Sequence, residues 1–177
     1  ELTHRQQGTI VWTKSGQYDW AGITLSTGDS VHLESAEIQY AATGVTFNST
    51  TSNAYLFCCN IDSCSTGAWI SGCDPLLEWC SIYHNSLYGV KNEGRYASPT
   101  LLNTWIYDCG NSEAGYAGYY GYNSSKALLE SCVLHDNMQN GVYLRDRATI
   151  WMRNSRVNHN LPYGMLLDNV GTSAWTT

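Results

Sequence analysis

Seven residues with chemically useful side chains recur along this chain, mostly as pairs of neighbours. They are Tyr83, His84, Tyr107, Asp108, His135, Asp136 and His159. Equivalent positions in the successive pairs are separated by 24, 28 and 23 residues, and the set contains three of the five histidines of the chain. If a structural repeat of this length stacks equivalent positions, these side chains lie on one edge of the fold.

Three kinds of chemistry use such a set. A histidine beside an aspartate is oriented and made more basic, so the pair can act as a general acid or base. Histidine and aspartate from adjacent repeats can chelate a divalent metal. Tyrosine, aspartate and histidine can bind sugars through ring stacking and hydrogen bonds to hydroxyl groups. A structural alternative is that they are polar turn residues satisfied by their neighbours. We predict substrate binding by these seven residues, with no metal and no other cofactor.

The elements that position this set follow from a column of aliphatic residues. The column is Ile38, Ile61, Ile82, Ile106, Leu134 and Val157, separated by 23, 21, 24, 28 and 23 residues. Five residues before each of these lies a second column, made of Leu33, Leu56, Leu77, Leu101, Leu129 and Met152. In five of the six repeats a glycine follows the first column by six or seven residues. A repeat of this length with conserved residue character at each position indicates a stacked solenoid.

The repeating units are short strands, because small and aliphatic core residues alternate with polar or aromatic ones at a period of two. Asn, Ser, Gly and Asp fill the intervals, as turns require. The sequence therefore predicts an all-β, right-handed parallel β-helix of about seven coils, with about 22 to 23 residues per coil. Asn85, Asn137 and Asn160 are expected in left-handed turn conformations, with hydrogen bonds to the same position one coil away.

The chain of 177 residues predicts a single domain over residues 1–177. One repeat, between Ile106 and Leu134, is longer than the others by about five residues. We expect an enlarged turn or loop around residues 111–124, containing the run AGYAGYYGY and projecting from the shaft.

Three stretches carry a resemblance to a known family. The segment from Asp19 to Val45 resembles the opening repeats of the right-handed parallel β-helix proteins of bacterial and archaeal surfaces, whose fold is pectate-lyase-like. The stretches CSIYHNSLYGV and RVNHNLPYGM are similar to the Asn-x-x-x-Gly turns of that family. The resemblance implies the fold and an extracellular or cell-surface location. It implies no single activity, because the fold hosts lyases, hydrolases, epimerases, adhesins and tailspikes.

Bulk properties narrow the classes of partner. A net charge of −6 argues against nucleic acid as a partner. No apolar run is long enough to span a membrane, so we expect no membrane insertion.

Asn48 and Asn123 begin N-glycosylation sequons in predicted turns. Cys59 and Cys80 share one interior column, where they could form a disulfide or act as small buried apolar residues.

The first functional hypothesis is a non-catalytic extracellular module with a polysaccharide-binding or adhesive face. The second is a polysaccharide lyase that uses the His/Asp/Tyr edge, with Arg145, Arg147, Arg153 or Arg156 neutralising a uronate. The calcium and paired-aspartate motifs of known enzymes with this fold are missing, so the sequence favours the first hypothesis. The third is a structural unit that stacks end to end into a filament or longer shaft.

The third hypothesis rests on the ends of the chain. We find no capping helix before residue 10 or after residue 170. Coils without caps expose unpaired strand edges. We therefore expect self-association through the coil ends, or a longer polypeptide of which this chain is a segment.

Overall fold

The computed structural model describes residues 2–3, 10–12, 20–25, 30–48, 53–111, 115–169 and 175–176. Within these residues the secondary structure consists of short strands, and there is no helix that could cross a membrane. The strands are numbered in chain order, and they form three parallel sheets of eight, seven and seven strands. The prediction of a parallel β-helix is confirmed.

Each coil contributes one strand to each sheet. The first sheet contains β1 (Leu2–Thr3), β4 (Val31–Glu34), β7 (Ala54–Phe57), β10 (Leu76–Glu78), β13 (Thr100–Leu102), β16 (Leu128–Glu130), β19 (Trp151–Arg153) and β22 (Trp175–Thr176). The second sheet contains β2 (Ile10–Trp12), β5 (Ala36–Gln39), β8 (Asn60–Asp62), β11 (Ser81–Tyr83), β14 (Trp105–Tyr107), β17 (Val133–His135) and β20 (Arg156–Asn158). The third sheet contains β3 (Ile23–Leu25), β6 (Thr43–Phe47), β9 (Thr66–Ser71), β12 (Tyr88–Glu93), β15 (Ala117–Tyr122), β18 (Asn140–Arg145) and β21 (Met165–Asp168).

Both predicted aliphatic columns are continuous rows inside the shaft. In the first sheet, Leu77 pairs with Leu56 on one side and with Leu101 on the other. In the second sheet, Ile82 pairs with Ile61 and Ile106. These interior side chains are completely buried. Parallel pairing in register therefore turns the sequence period into two stacks of like residues, which form the hydrophobic core.

The predicted asparagines lie inside the shaft, and the expectation of left-handed backbones for them is wrong. The positive φ angles fall one residue earlier, for example at His84 (51°) and Asp136 (52°). The asparagine side chains instead bridge adjacent coils, as expected. Cys64 N–H donates to Asn85 Oδ1 at 3.0 Å, and Asn85 Nδ2 donates to the Ile61 carbonyl at 3.2 Å. The amide thus satisfies backbone groups that the turn removes from the sheet ladder.

The prediction of a loop around residues 111–124 needs a correction, because residues 117–122 form strand β15 and pair with β12 and β18. Ala117 aligns with Tyr88, although it follows Cys109 by eight residues and Tyr88 follows Asn85 by three. The five additional residues therefore lie between Cys109 and Ala117. Tyr119, which we expected on the outside, is fully buried and its hydroxyl accepts a hydrogen bond from Asn92 Nδ2 at 2.8 Å.

The same five additional residues displace Gly118 from the spacing of the repeat. With Gly118 included, all six repeats contribute a glycine to one column. The column is Gly44, Gly67, Gly89, Gly118, Gly141 and Gly164. A Cβ atom on Gly89 would lie 2.4 Å from Ile106 Cγ2 and 2.6 Å from the Gly118 carbonyl oxygen. Adjacent coils therefore approach each other too closely here for any side chain.

We expect Gly89→Ala to lower the free energy of unfolding by about 1 to 3 kcal/mol, because the added methyl group overpacks the core. Gly164→Ala is the matched control. A Cβ at Gly164, in the last coil of the same column, would have its nearest neighbour at 3.7 Å. Thermal melting monitored by circular dichroism compares the two variants, and equal melting temperatures would contradict the close approach.

All seven cysteines are free thiols, and only Cys58 is exposed. Burial raises the pKa of Cys109 to about 12 and that of Cys132 to about 11. Such thiols stay protonated at neutral pH and pack as small apolar groups. Cys59 and Cys80 are likewise buried and form no disulfide, so the structure supports the second of the two interpretations for them.

Much of both terminal segments, namely residues 1, 4–9, 170–174 and 177, lies outside the described residues. The expectation of self-association through the coil ends rests on these segments, and it stays a prediction.

Candidate functional site

All seven residues predicted for binding lie together where the strands of the second sheet end. They form the second-sheet edge, composed of Tyr83, His84, Tyr107, Asp108, His135, Asp136 and His159. Tyr107 is the register partner of both Tyr83 and His135, as the last outward residue of strand β14. The remaining four members each occupy the next position in the chain, on the turn toward the third sheet.

Those four turn residues have left-handed backbone conformations. Their φ angles are 51° for His84, 50° for Asp108, 52° for Asp136 and 53° for His159. Histidine and aspartate are among the residues that adopt positive φ most readily, apart from glycine and asparagine. This conformation turns the chain sharply and leaves all four residues exposed. The turn geometry thus selects residue types that can also contact a ligand.

Three aromatic rings of the edge are stacked along the shaft. The rings of Tyr83 and Tyr107 have centroids 4.9 Å apart and are inclined by 2°, and those of Tyr107 and His135 are 5.1 Å apart and inclined by 8°. Both faces of the Tyr107 ring are therefore covered by its neighbours. A sugar ring cannot stack on Tyr107, so this part of the edge can offer only ring edges and polar atoms.

The phenol groups of this stack remain protonated at neutral pH. Burial, followed by the negative charge of Asp62, raises the pKa of Tyr83 to about 12. Burial and the carboxylate of Asp108 raise the pKa of Tyr107. Each hydroxyl is thus a neutral group that can donate one hydrogen bond and accept others.

Histidines and aspartates contact each other along the edge, once within a coil and twice between neighbouring coils. His135 Nδ1 lies 2.6 Å from Asp136 Oδ2, and His159 Nδ1 lies 3.8 Å from Asp136 Oδ1. His84 Nε2 lies 3.6 Å from Asp108 Oδ2. The short contact orients the His135 ring, and the two longer contacts pair each of the other histidines with a carboxylate of a neighbouring coil. The edge is thus a row of paired hydrogen-bonding groups.

Two neighbours of the edge were not included in the prediction. Asp62 occupies the same column as Tyr83 one coil earlier, is buried, and accepts a hydrogen bond from Gln39 Nε2 at 3.1 Å. Trp105 begins β14 and is 54% exposed, on the same outward side as Tyr107. Both positions follow from the repeat, since Asp62 comes directly after Ile61 and Trp105 directly before Ile106, but only the structure shows that Asp62 is buried beside Tyr83 and how far Trp105 is exposed.

The four arginines considered for a lyase do not converge on the edge. Arg145 ends β18 in the third sheet and lies 3.6 Å from Asp146 and 3.8 Å from Asp168. Arg147 lies in the turn that follows β18. Arg153 lies in the first sheet, and Arg156 lies in the second sheet at the last coil. Among the described residues, no group of three or more His, Cys, Asp or Glu side chains is arranged to hold a metal ion.

A second group of tyrosines covers the outside of the third sheet. The rings of Tyr88 and Tyr120 are stacked with centroids 5.0 Å apart, and Tyr143 meets Tyr120 edge-on at 5.3 Å.

Of the two predicted glycosylation sites, Asn123 is exposed in the turn after β15, and Asn48 is partly buried. Residues 49–52, which complete the sequon of Asn48, lie outside the described residues.

Comparison with known proteins agrees with this architecture. A family model described as the right-handed β-helix region matches residues 15–174. No curated protein matches the sequence. Among solved structures, a crystal structure of pectate lyase Pel9A is similar, with a TM-score of 0.54 and 14% sequence identity. The match covers 82% of this chain and 46% of that chain, so this chain spans less than half the length of that lyase. At this identity the likeness shows the fold alone.

Proposed function

The chain belongs to the right-handed β-helix family, and we propose that it is a non-catalytic module that binds a polysaccharide along its second-sheet edge, outside the cell or at its surface. The observation that carries this proposal is the continuous row of oriented polar groups on that edge. Across four coils the row is about 14 Å long, or three strand spacings. A row with one repeated spacing suits an extended polymer better than a compact ligand.

The edge offers hydrogen-bonding partners for sugar hydroxyl groups. The carboxylates of Asp108 and Asp136 accept hydrogen bonds, and the tyrosine hydroxyls both donate and accept them. Stacking of a sugar ring requires an open aromatic face, and the covered ring of Tyr107 cannot provide one. The exposed indole of Trp105, two residues before Tyr107, lies on the same side of the sheet and fits that role.

A polysaccharide lyase is the second candidate, and one contact favours it. The 2.6 Å contact between His135 Nδ1 and Asp136 would orient an imidazole to act as a base. Against it, the arginines that could neutralise a uronate carboxylate are distributed over three sheets. Lysis of uronic polysaccharides gives unsaturated products that absorb in the ultraviolet. Accumulation of such products with the purified chain would establish the lyase in place of the binding module.

We expect the combined variant His84→Ala, Tyr107→Ala and His135→Ala to lose at least about tenfold in polysaccharide affinity, because it removes hydrogen-bonding groups from three coils. Affinity gel electrophoresis against a panel of soluble polysaccharides measures the effect. The control is His32→Ala with Tyr55→Ala, which removes a tilted aromatic pair (centroids 4.7 Å apart) from the outside of the first sheet. If retardation in the gel survives in the triple variant and disappears in the control, binding occurs on the first sheet.

A further inference from the structure

Charged side chains are unevenly distributed over the three sheets. On the outward positions of the second sheet and on its edge, the described residues include four carboxylates and one permanent cation. The carboxylates are Glu37, Asp62, Asp108 and Asp136, and the cation is Arg156. Arg156 lies in the last coil of that sheet, whereas Asp108 and Asp136 lie in the middle of the row. With neutral histidines, this surface carries a net negative charge.

The other described lysines and arginines lie on different parts of the shaft. Lys91 is on the third sheet, 3.0 Å from Glu93 and over the Trp69 ring. Arg145 is also on the third sheet, and Arg153 is on the first. Arg95, Lys126 and Arg147 lie in the turns between the third sheet and the first. None of these groups belongs to the second-sheet edge, so they do not offset its carboxylates locally.

This distribution has a consequence for any polymer that follows the edge. A uronate polymer carries one carboxylate on every sugar, so several of these charges would face Asp108 and Asp136 at once. Like charges at short range disfavour binding, and the bidentate arginine contacts that usually compensate a carboxylate are missing from this edge. An uncharged polymer has no such repulsion, and its hydroxyl groups can donate to the same carboxylates.

We infer that the second-sheet edge selects uncharged polysaccharides and rejects uronate polymers. This inference rests on the proposed function, since it specifies the ligand of the same edge. The ligand class inferred here differs from pectate, which the name of the structurally similar pectate lyase gives as that enzyme's substrate, although the two proteins share a fold. Repulsive contacts of this kind set specificity by rejecting the wrong ligand.

The test compares uncharged polymers with anionic polymers of the same backbone. Methyl-esterified galacturonan is paired with its de-esterified form, and hydroxyethyl cellulose with carboxymethyl cellulose. Hydroxyethyl cellulose bearing quaternary ammonium groups serves as a cationic polymer. Affinity electrophoresis at about pH 8 measures each polymer against the wild type. We expect at least about tenfold tighter binding of an uncharged polymer than of its anionic counterpart.

A pair of variants separates the local charge of the edge from the net charge of the chain. Asp108→Asn with Asp136→Asn removes two charges from the edge and should increase the affinity for the anionic counterpart. Glu34→Gln with Glu130→Gln removes two charges from the outside of the first sheet and should change nothing. Equal gains in both double variants would assign the rejection to net charge and overturn the inference.

The remaining outcomes distinguish the inference from the proposed function. Binding of the anionic member of a pair as tightly as the uncharged member overturns the inference and leaves the binding module intact. Binding of the quaternised cellulose alone also overturns it, because the edge would then select cations. Failure to bind every polymer overturns the proposed function, and the inference with it.

Discussion

Replacement of Leu77 by aspartate is expected to unfold the solenoid at room temperature or to lower its free energy of unfolding by more than about 4 kcal/mol. Leu77 is completely buried in the row of the first sheet, between Leu56 and Leu101. A carboxylate at this position has apolar neighbours and no cation to pair with, so its desolvation is uncompensated. Domains are stable by only about 5 to 15 kcal/mol, so a loss of this size is decisive.

Two control variants test whether the effect of Leu77→Asp is specific to the interior row. Leu77→Met keeps volume and apolar character, and Met152 already occupies the same row, so the expected cost is below about 1.5 kcal/mol. Leu76→Asp puts the same charge one residue earlier, on the outward side of β10, and should be far milder. Chemical denaturation followed by circular dichroism gives all three values. Unchanged stability of Leu77→Asp would contradict the assignment of that row to the core.

The fold could be predicted from the sequence because parallel stacking converts a linear repeat into spatial rows. Residues such as Ile61, Ile82 and Ile106 occupy equivalent places in consecutive coils and meet the same environment. Their side chains therefore keep the same character at each repeat. The strand period of two then assigns alternate positions to the inside and the outside. Both aliphatic rows follow from these two rules alone.

The errors arose where local composition and the repeat give different answers. The run AGYAGYYGY is rich in glycine and tyrosine, which is typical of a loop, yet Ala117–Tyr122 is a strand with Tyr119 in the core. A five-residue insertion before it displaces Gly118 from the expected spacing. Asparagine tolerates left-handed backbone conformations, and this suggested that the asparagines themselves adopt the left-handed conformation of each turn. Their hydrogen bonds to adjacent coils require an interior position instead.

The composition of the candidate edge was predictable, but its ring geometry was not. The column pattern brought Tyr83, Tyr107 and His135 to one side of the shaft, and the structure pairs their strands in that order. Whether neighbouring rings stack depends on side-chain rotamers, which a sequence period does not specify. The observed stacking covers the faces of Tyr107, so the contact with a sugar ring moves to an exposed indole such as that of Trp105.

Replacement of Asn137 by leucine is expected to cost about 2 to 6 kcal/mol, although asparagine and leucine differ little in length. Asn137 is buried, its Oδ1 accepts from Cys109 N–H at 3.1 Å, and its Nδ2 donates to the Ile106 carbonyl at 3.3 Å. Leucine can form neither bond. Two buried backbone groups then lose their partners, each at about 1 to 3 kcal/mol. Thermal and chemical denaturation of the purified variant measure the loss.

Cys109→Asn is the matched control, since it adds a side-chain amide to the same column instead of removing one. Cys109 lies between Asn85 and Asn137 in that column, and its thiol reaches the Ile82 carbonyl at 3.7 Å. An asparagine there can donate to the same carbonyl and accept from Asn85 N–H. Asn85 and Asn137 make the equivalent pair of hydrogen bonds, each to the coil before its own. We expect the melting temperature of this variant to stay unchanged or to rise. The two variants together test whether the turns between the second and third sheets are stabilised by interior amides. If Asn137→Leu were as stable as the wild type, or Cys109→Asn as unstable as Asn137→Leu, packing volume rather than hydrogen bonding would govern this column.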